Sequence, residues 1–197
     1  MEILWPLASF AFVTSVTPGP NNLLLLASGL RFGFVKTLPH IFGIQVGVAM
    51  QLFLAAMGLS YLVLEIPALN LVLKIMGSCY LLYLAWCLRP GTLSDDDKAQ
   101  GKPFTFTQAF LFQFINPKAW VMTLTAGALF LPATSSQFLS VLLLCVVFHA
   151  VGCPSSGSWA VIGGLIRHYL KHPFWNKIFS VTMIFLTLFT AIYIWFI

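Results

Sequence analysis

A lysine and two proline motifs carry most of the chemistry open to this chain. Thr17-Pro18-Gly19-Pro20-Asn21-Asn22 and Asn116-Pro117-Lys118 each lie near the middle of a very apolar stretch. A proline inside a helix removes one backbone hydrogen bond and clashes with the preceding turn, at a cost of about 3 kcal/mol. Hydrocarbon offers no water to satisfy the freed carbonyl. At corresponding points in two halves of a membrane protein, such breaks point to a transporter's midplane substrate site. Thr17 before Pro18 and Asn116 before Pro117 each read as an N-cap followed by proline at the first helical position, where the missing N–H costs nothing. Two half-helices starting near the midplane and running in opposite directions bring their positive dipole ends together, which suits an anion or carboxylate. The candidate substrate-binding residues are therefore Thr17, Pro18, Gly19, Pro20, Asn21, Asn22, Asn116, Pro117 and Lys118.

Lys118 adds a formal charge to that site. A lysine at the bilayer centre costs about 2.5–3.5 kcal/mol and usually faces a protein interior or a wet cavity. It lies roughly fourteen residues from each end of its apolar span, about 20 Å at helical rise, beyond the reach of its own side chain. Two uses remain open: binding a substrate carboxylate, or holding the carbonyls that Pro18 or Pro117 frees. Ser15, Asn21, Asn22, Gln45 and Gln113 supply acceptors for an ammonium group, or tie helices together. His149, inside a later span, reads either as a proton carrier, given its near-neutral reference pKa, or as a hydrogen-bonded core residue. His40, His168 and His172 fall at span ends or loops without acidic or cysteine partners, so no metal site is expected. No cofactor motif, nucleophile elbow or phosphate loop is present. Cys79, Cys87, Cys145 and Cys153 lie within spans, each pair too far apart for a disulfide within one helix, and read as small apolar packers.

The elements that position these residues follow from composition. Of 197 residues, 59% are hydrophobic and only 8% charged, and the mean hydropathy is +0.94, which no polar-surfaced soluble domain shows. Six apolar spans are predicted, at Ile3–Leu30, Leu38–Leu64, Asn70–Leu88, Phe104–Leu131, Phe138–Ile166 and Ile178–Ile197, each long enough for the roughly 17–25 residues of a bilayer crossing. The N-terminus lacks a basic n-region and its apolar run exceeds the about 7–15 residues of a signal core, so it reads as a retained first helix. Trp5, Tyr61, Trp86, Trp175, Tyr193 and Trp195 fall near span ends, where amphipathic rings anchor at the headgroups. Arg31 and Lys36, then Arg89, Lys98 and Lys102, then Arg167, Lys171 and Lys177 occupy the first, third and fifth connections. Those connections are expected in the cytoplasm and both termini outside, in the periplasm. The net charge of +5 is thereby a matter of topology; nucleic acid would need the basic residues gathered on one soluble surface.

The halves share a pattern. Helices one and four are long and interrupted by proline, two and five are rich in small residues, three and six are short and uniformly apolar. The fold expected is all-α: a polytopic membrane protein of six transmembrane helices arranged as a three-plus-three inverted repeat, with repeats at 1–88 and 104–197 and a cytoplasmic linker at 89–103. Asp95, Asp96 and Asp97 in that linker lack the spacing of a calcium loop and read as solvated. Gly43, Gly47, Gln51 and Ala55 on helix two, and Gly152, Ser156, Gly157, Gly163 and Gly164 around a further break at Pro154 on helix five, are close-packing faces. They serve either sliding within the chain or a homodimer contact.

TPGPNN at Thr17 to Asn22, Gly33-Phe34, the glycine pair Gly43 and Gly47, GSCYLLYLAW from Gly77 to Trp86 and FQFINPKAW from Phe112 to Trp120 together resemble the LysE/RhtB family of bacterial amino-acid exporters. The resemblance covers essentially the whole chain, including Trp159 and Asn176; Pro39-His40 and Cys153-Pro154-Ser155 depart from the family's small-residue segments. It implies an inner-membrane exporter of amino acids or their small derivatives, driven by the proton gradient, with functional positions at Pro18, Gly19, Pro20, Asn21, Asn116, Pro117 and Lys118. The absence of carboxylates from the central spans favours a neutral substrate over a dibasic one, whose second ammonium would lack a partner. Two other readings are a thiol-disulfide carrier of related six-helix plan, which would need cysteines in helices one and four where this chain has none, and a non-transporting membrane subunit.

Overall fold

The computed structural model describes residues 3–59, 66–87, 102–132, 134–193 and 195. Eight α-helices follow in chain order: α1 (Leu4–Val16), α2 (Pro20–Phe32), α3 (Phe34–Leu54), α4 (Pro67–Cys87), α5 (Phe106–Gln113), α6 (Pro117–Leu129), α7 (Gln137–Ile166) and α8 (Pro173–Tyr193). No strand occurs among the described residues. The far end of the second span with Tyr61, and all of the linker but residues 102 and 103, lie outside them. Among the described residues, three segments are long and apolar enough to cross a bilayer: Phe34–Leu59, Gln137–Ile166 and Pro173–Ile192. By contrast, α1, α2 and α6 have 13 residues each and α5 has 8, short of the about 17–25 that one crossing takes.

The first break differs in detail from its sequence reading. Thr17 does not cap a helix that starts at Pro18. It closes α1 with an extended ψ of 142°, and α2 begins at Pro20 with Gly19 as N-cap. Proline disfavours helical geometry in the residue before it, so Pro20 holds Gly19 extended, at φ −175° and ψ 177°, and a helix from Pro18 has no second residue to use. The second break matches its reading. Asn116 is the N-cap of α6, Pro117 is its first residue, and the Asn116 Oδ1 accepts from the Lys118 N–H at 3.2 Å.

Neither Pro39 nor Pro154 breaks its helix; α3 and α7 run straight through them. The expected break at Pro154 is thus corrected. Both prolines lie on the exposed side of helices whose opposite faces pack against neighbours, and membrane helices held in this way tolerate an internal proline. The turn from α2 into α3 is made at Gly33, whose φ of 79° lies in the left-handed region that glycine enters without strain.

Packing crosses the two halves of the chain. Both α1 and α2 lie along α7, while α5 and α6 lie along α3; α3 also packs on α7, and α4 on α8. Glycines permit the closest approaches. A side chain at Gly29 would run into the backbone of Ala160, one at Gly163 into that of Leu26, and ones at Gly43 and Gly47 into Phe106 and Gln113. These faces are spent inside the chain, so the homodimer use of Gly43 and Gly47 falls away. The core between the layers holds Leu7, Leu25, Ile44, Val48, Leu144 and Phe148.

Candidate substrate site at the helix breaks

Each break must account for the carbonyls it frees, since an unpaired backbone group in this setting costs several kcal/mol. At the end of α1, the Asn22 side chain donates to the carbonyls of Ser15 and Thr17, both at 2.8 Å. Ser155 of α7 donates to Ser15 O at 2.9 Å. The Lys118 ammonium donates to Thr17 O at 2.6 Å, Thr17 Oγ1 at 2.9 Å and Pro18 O at 3.4 Å. At the end of α5, Gln51 Nε2 donates to Gln113 O at 2.8 Å and the Trp120 indole to Phe114 O at 2.9 Å.

The breaks meet each other as well. Asn21 Nδ2 donates to Gln113 Oε1 at 2.8 Å and Gln113 Nε2 returns to Asn21 Oδ1 at 3.1 Å. Gln113 Nε2 also reaches Ala109 O at 2.9 Å. Lys118 lies directly over the N-cap of α2: a Cβ on Gly19 would sit 2.6 Å from its Cδ and 3.0 Å from its Nζ. Gly19 brings no side chain to cap α2, so the first N–H groups of that helix carry the positive end of its dipole uncapped beside a lysine.

Between these groups is a polar cavity of about 50 Å³, lined from the breaks by Gly19, Asn21, Asn22, Asn116 and Lys118. The other helices add Thr14, Ser15, Gln45, Ser156 and an apolar wall of Ile44, Val48, Met122 and Phe148. Gln45 is fixed by its bond to Ser156 Oγ at 3.1 Å. At about 10–15 Å³ per water, the volume suits a small polar head group. Thr17 and Pro18 line a second, larger chamber instead. Pro20 and Pro117 are buried and line neither; a side chain at Gly77 of α4 would strike the Pro117 ring.

The family model for LysE-type translocators matches residues 12–194 of this sequence. The chain belongs to that family. It is accordingly a membrane transporter and not an enzyme. The translocator is 28% identical over 165 residues to a cysteine/O-acetylserine efflux protein of Salmonella typhimurium, covering 83% of this chain and 84% of that one. Proteins of the same description match it in Escherichia coli O139:H28, at 26% identity with 95% of each chain covered, and in strain K12, at 29% with 83% of each covered. No solved structure matches.

His149 of the translocator lines neither cavity, yet touches the wall of the polar one. Its Nε2 lies 2.9 Å from Gln45 O and its Nδ1 2.6 Å from Cys145 O. Both partners are carbonyls, which only accept; a neutral imidazole has one N–H to give and the imidazolium has two. His40, expected at a span end, is instead fully buried within α3 and stacked on Phe104 at 4.9 Å. Cys79, Cys145 and Cys153 are free thiols. The lining residues that the sequence reading did not single out as candidates are Thr14, Ile44, Val48, Ala119, Met122 and Phe148. For all but Thr14 the only sequence signal is apolar periodicity, which core and lipid-facing positions share.

Proposed function

We propose that this translocator exports an amino acid or a small amino-acid derivative with a neutral side chain, from the cytoplasm across the bacterial inner membrane, by proton-coupled transport. The observation that carries this is the polar cavity at the meeting of the two breaks, with the Lys118 ammonium and the uncapped N-terminus of α2 facing one space. No Asp or Glu is among its described lining residues. A carboxylate entering it meets a formal charge and a helix dipole of the same sign, and the amino group meets the oxygens of Asn21 and Gln45. Relatives described as cysteine/O-acetylserine efflux proteins fit a small neutral substrate of this kind.

The architecture we infer is the three-plus-three inverted repeat, with α1 and α2 together as the first span and α5 and α6 as the fourth. Its support is the crossed packing, in which each broken pair lies along the unbroken second helix of the other half. The helix starts set the register: Gly19 and Asn116 are N-caps, Pro20 and Pro117 follow, and Asn21 and Lys118 come next. Each of those last two side chains reaches the end of the first half-helix of the opposite repeat, Asn21 to Gln113 and Lys118 to Thr17.

The bonds from Lys118 to Thr17 and Pro18 favour a second reading, in which the lysine only braces the break. Lys118→Gln with labelled substrate separates the two. A charge-assisted hydrogen bond is worth about 1.5–3 kcal/mol, so loss of the charge should weaken binding by about 10- to 150-fold. An analogue with a neutral amide in place of the carboxylate should bind poorly to the parent protein and lose little more on substitution. Equal losses for acid and amide would leave Lys118 a brace and remove it from the binding site.

A further inference from the structure

Beside the polar cavity lies a chamber of about 610 Å³ between α1, α6 and α8, within the about 300–1,000 Å³ range of small-molecule pockets. Its walls are Phe10 and Val13 of α1, Val121 and Met122 of α6, and Leu186 and Phe189 of α8. The hydroxyls near it offer little to a polar guest: Thr14 Oγ1 donates to Phe10 O at 2.7 Å and Thr190 Oγ1 to Leu186 O at 2.8 Å, each on its own helix. The charge is at one end, where Lys118, Thr17 and Pro18 meet, and the Thr125 hydroxyl lies along the α6 wall. Thr14, Lys118 and Met122 line chamber and cavity alike.

The two spaces are therefore adjoining compartments with Lys118 at their common boundary, one small and mixed in character with several polar groups, the other large and mainly apolar. A molecule matching both has a zwitterionic head and an apolar body. We propose that the chamber is the side-chain subsite of the exported amino acid, and that the substrates held best carry bulky apolar side chains, branched aliphatic or aromatic. This rests on the exporter reading above and narrows its substrate class beyond what the printed descriptions of the relatives say. The match of charge to Lys118 selects a carboxylate-bearing guest over an uncharged one. Burial selects among carboxylates by apolar area.

Counterflow in proteoliposomes tests it, with unlabelled alanine, 2-aminobutyrate, norvaline, norleucine and phenylalanine competing against labelled leucine, and with cysteine and O-acetylserine as reference. Apparent affinity should rise about four-fold for each methylene added to the side chain. Thr190→Trp, which places an indole in the chamber, should lower the affinity for norleucine at least ten-fold more than that for alanine. Leu186→Ala, which widens the chamber, should shift the preference toward phenylalanine and covers the case in which the tryptophan variant does not fold. A flat series, or variants that change alanine and norleucine equally, would overturn the side-chain subsite while the exporter reading stands. Activity that follows the acyl length of the vesicle lipid instead of the amino-acid side chain would assign the chamber to a lipid chain and overturn it too. Absence of counterflow with every amino acid tried, cysteine and O-acetylserine included, would overturn both.

Discussion

Lys118 and Gly19 work as one unit, and neither is intelligible alone. The backbone of Gly19 is extended, a conformation open to any residue; what a side chain there would meet is the lysine stem, 2.6 Å from where a Cβ would stand, which would have to move. Gly19→Ala should therefore act through Lys118, displacing the flexible end of its side chain from Thr17. The check is a cycle with Lys118→Gln: the double variant should bind substrate no more weakly than Lys118→Gln alone, because contacting residues are not additive. A full additive loss would make the glycine independent of the lysine. His149 is tested differently. The ring sits between two carbonyl acceptors, so its second bond forms only when it carries a second proton. If that proton is the coupled one, His149→Gln should keep exchange of internal for external substrate and abolish transport driven by a pH gradient. Unchanged pH-driven transport would leave it a packing residue.

The sequence made the breaks visible because proline in apolar sequence has few explanations, and the cap at Asn116 because its side chain has the acceptor a helix start needs. It misplaced the start of α2, since Thr17 has a capping hydroxyl and Gly19 has nothing to show. The restriction that Pro20 places on Gly19 decided the point. The partners of Lys118 and Asn21 were hidden for another reason: both lie in the opposite half of the chain, and no local pattern encodes such a pairing. The break expected at Pro154 did not form: the proline lies on the exposed side of α7, whose opposite face is held by α1, α2 and α3. At the scale of elements the consequence is a pair of cross-links between half-helices, Asn21 with Gln113 and Lys118 with Thr17, on two sides of one cavity. Alternating access requires them to part in turn. With Cys79, Cys87, Cys145 and Cys153 replaced by serine, cysteines at positions 21 and 113 joined by a bifunctional thiol reagent should stop transport and leave the protein folded. Transport at the full rate after cross-linking would show that α2 and α5 do not separate.

At the scale of the molecule, the crossed packing of the halves and the distribution of basic residues bear on the same property. In an inverted repeat with an odd number of spans per half, α1 and α6 lie on one side of the cavity and α2 and α5 on the other. On the topology expected from the positive-inside rule, Arg31 in the last turn of α2, with Lys36 after it and Lys102 before α5, would put the α2 and α5 ends toward the cytoplasm. On that topology the chamber between α1, α6 and α8 would belong to the periplasmic half, on the outward side of Lys118, where a departing substrate would pass. Trp5 and Trp195, near the two termini, are exposed, and rings of this kind favour the headgroup layer. A reporter that is active only in the cytoplasm should be silent when fused after residue 197, and one active only in the periplasm should report strongly from the same place. The opposite pair of results would reverse the polarity of both repeats, place the chamber on the cytoplasmic side of the cavity, and turn the proposed exit of an exporter into its entrance.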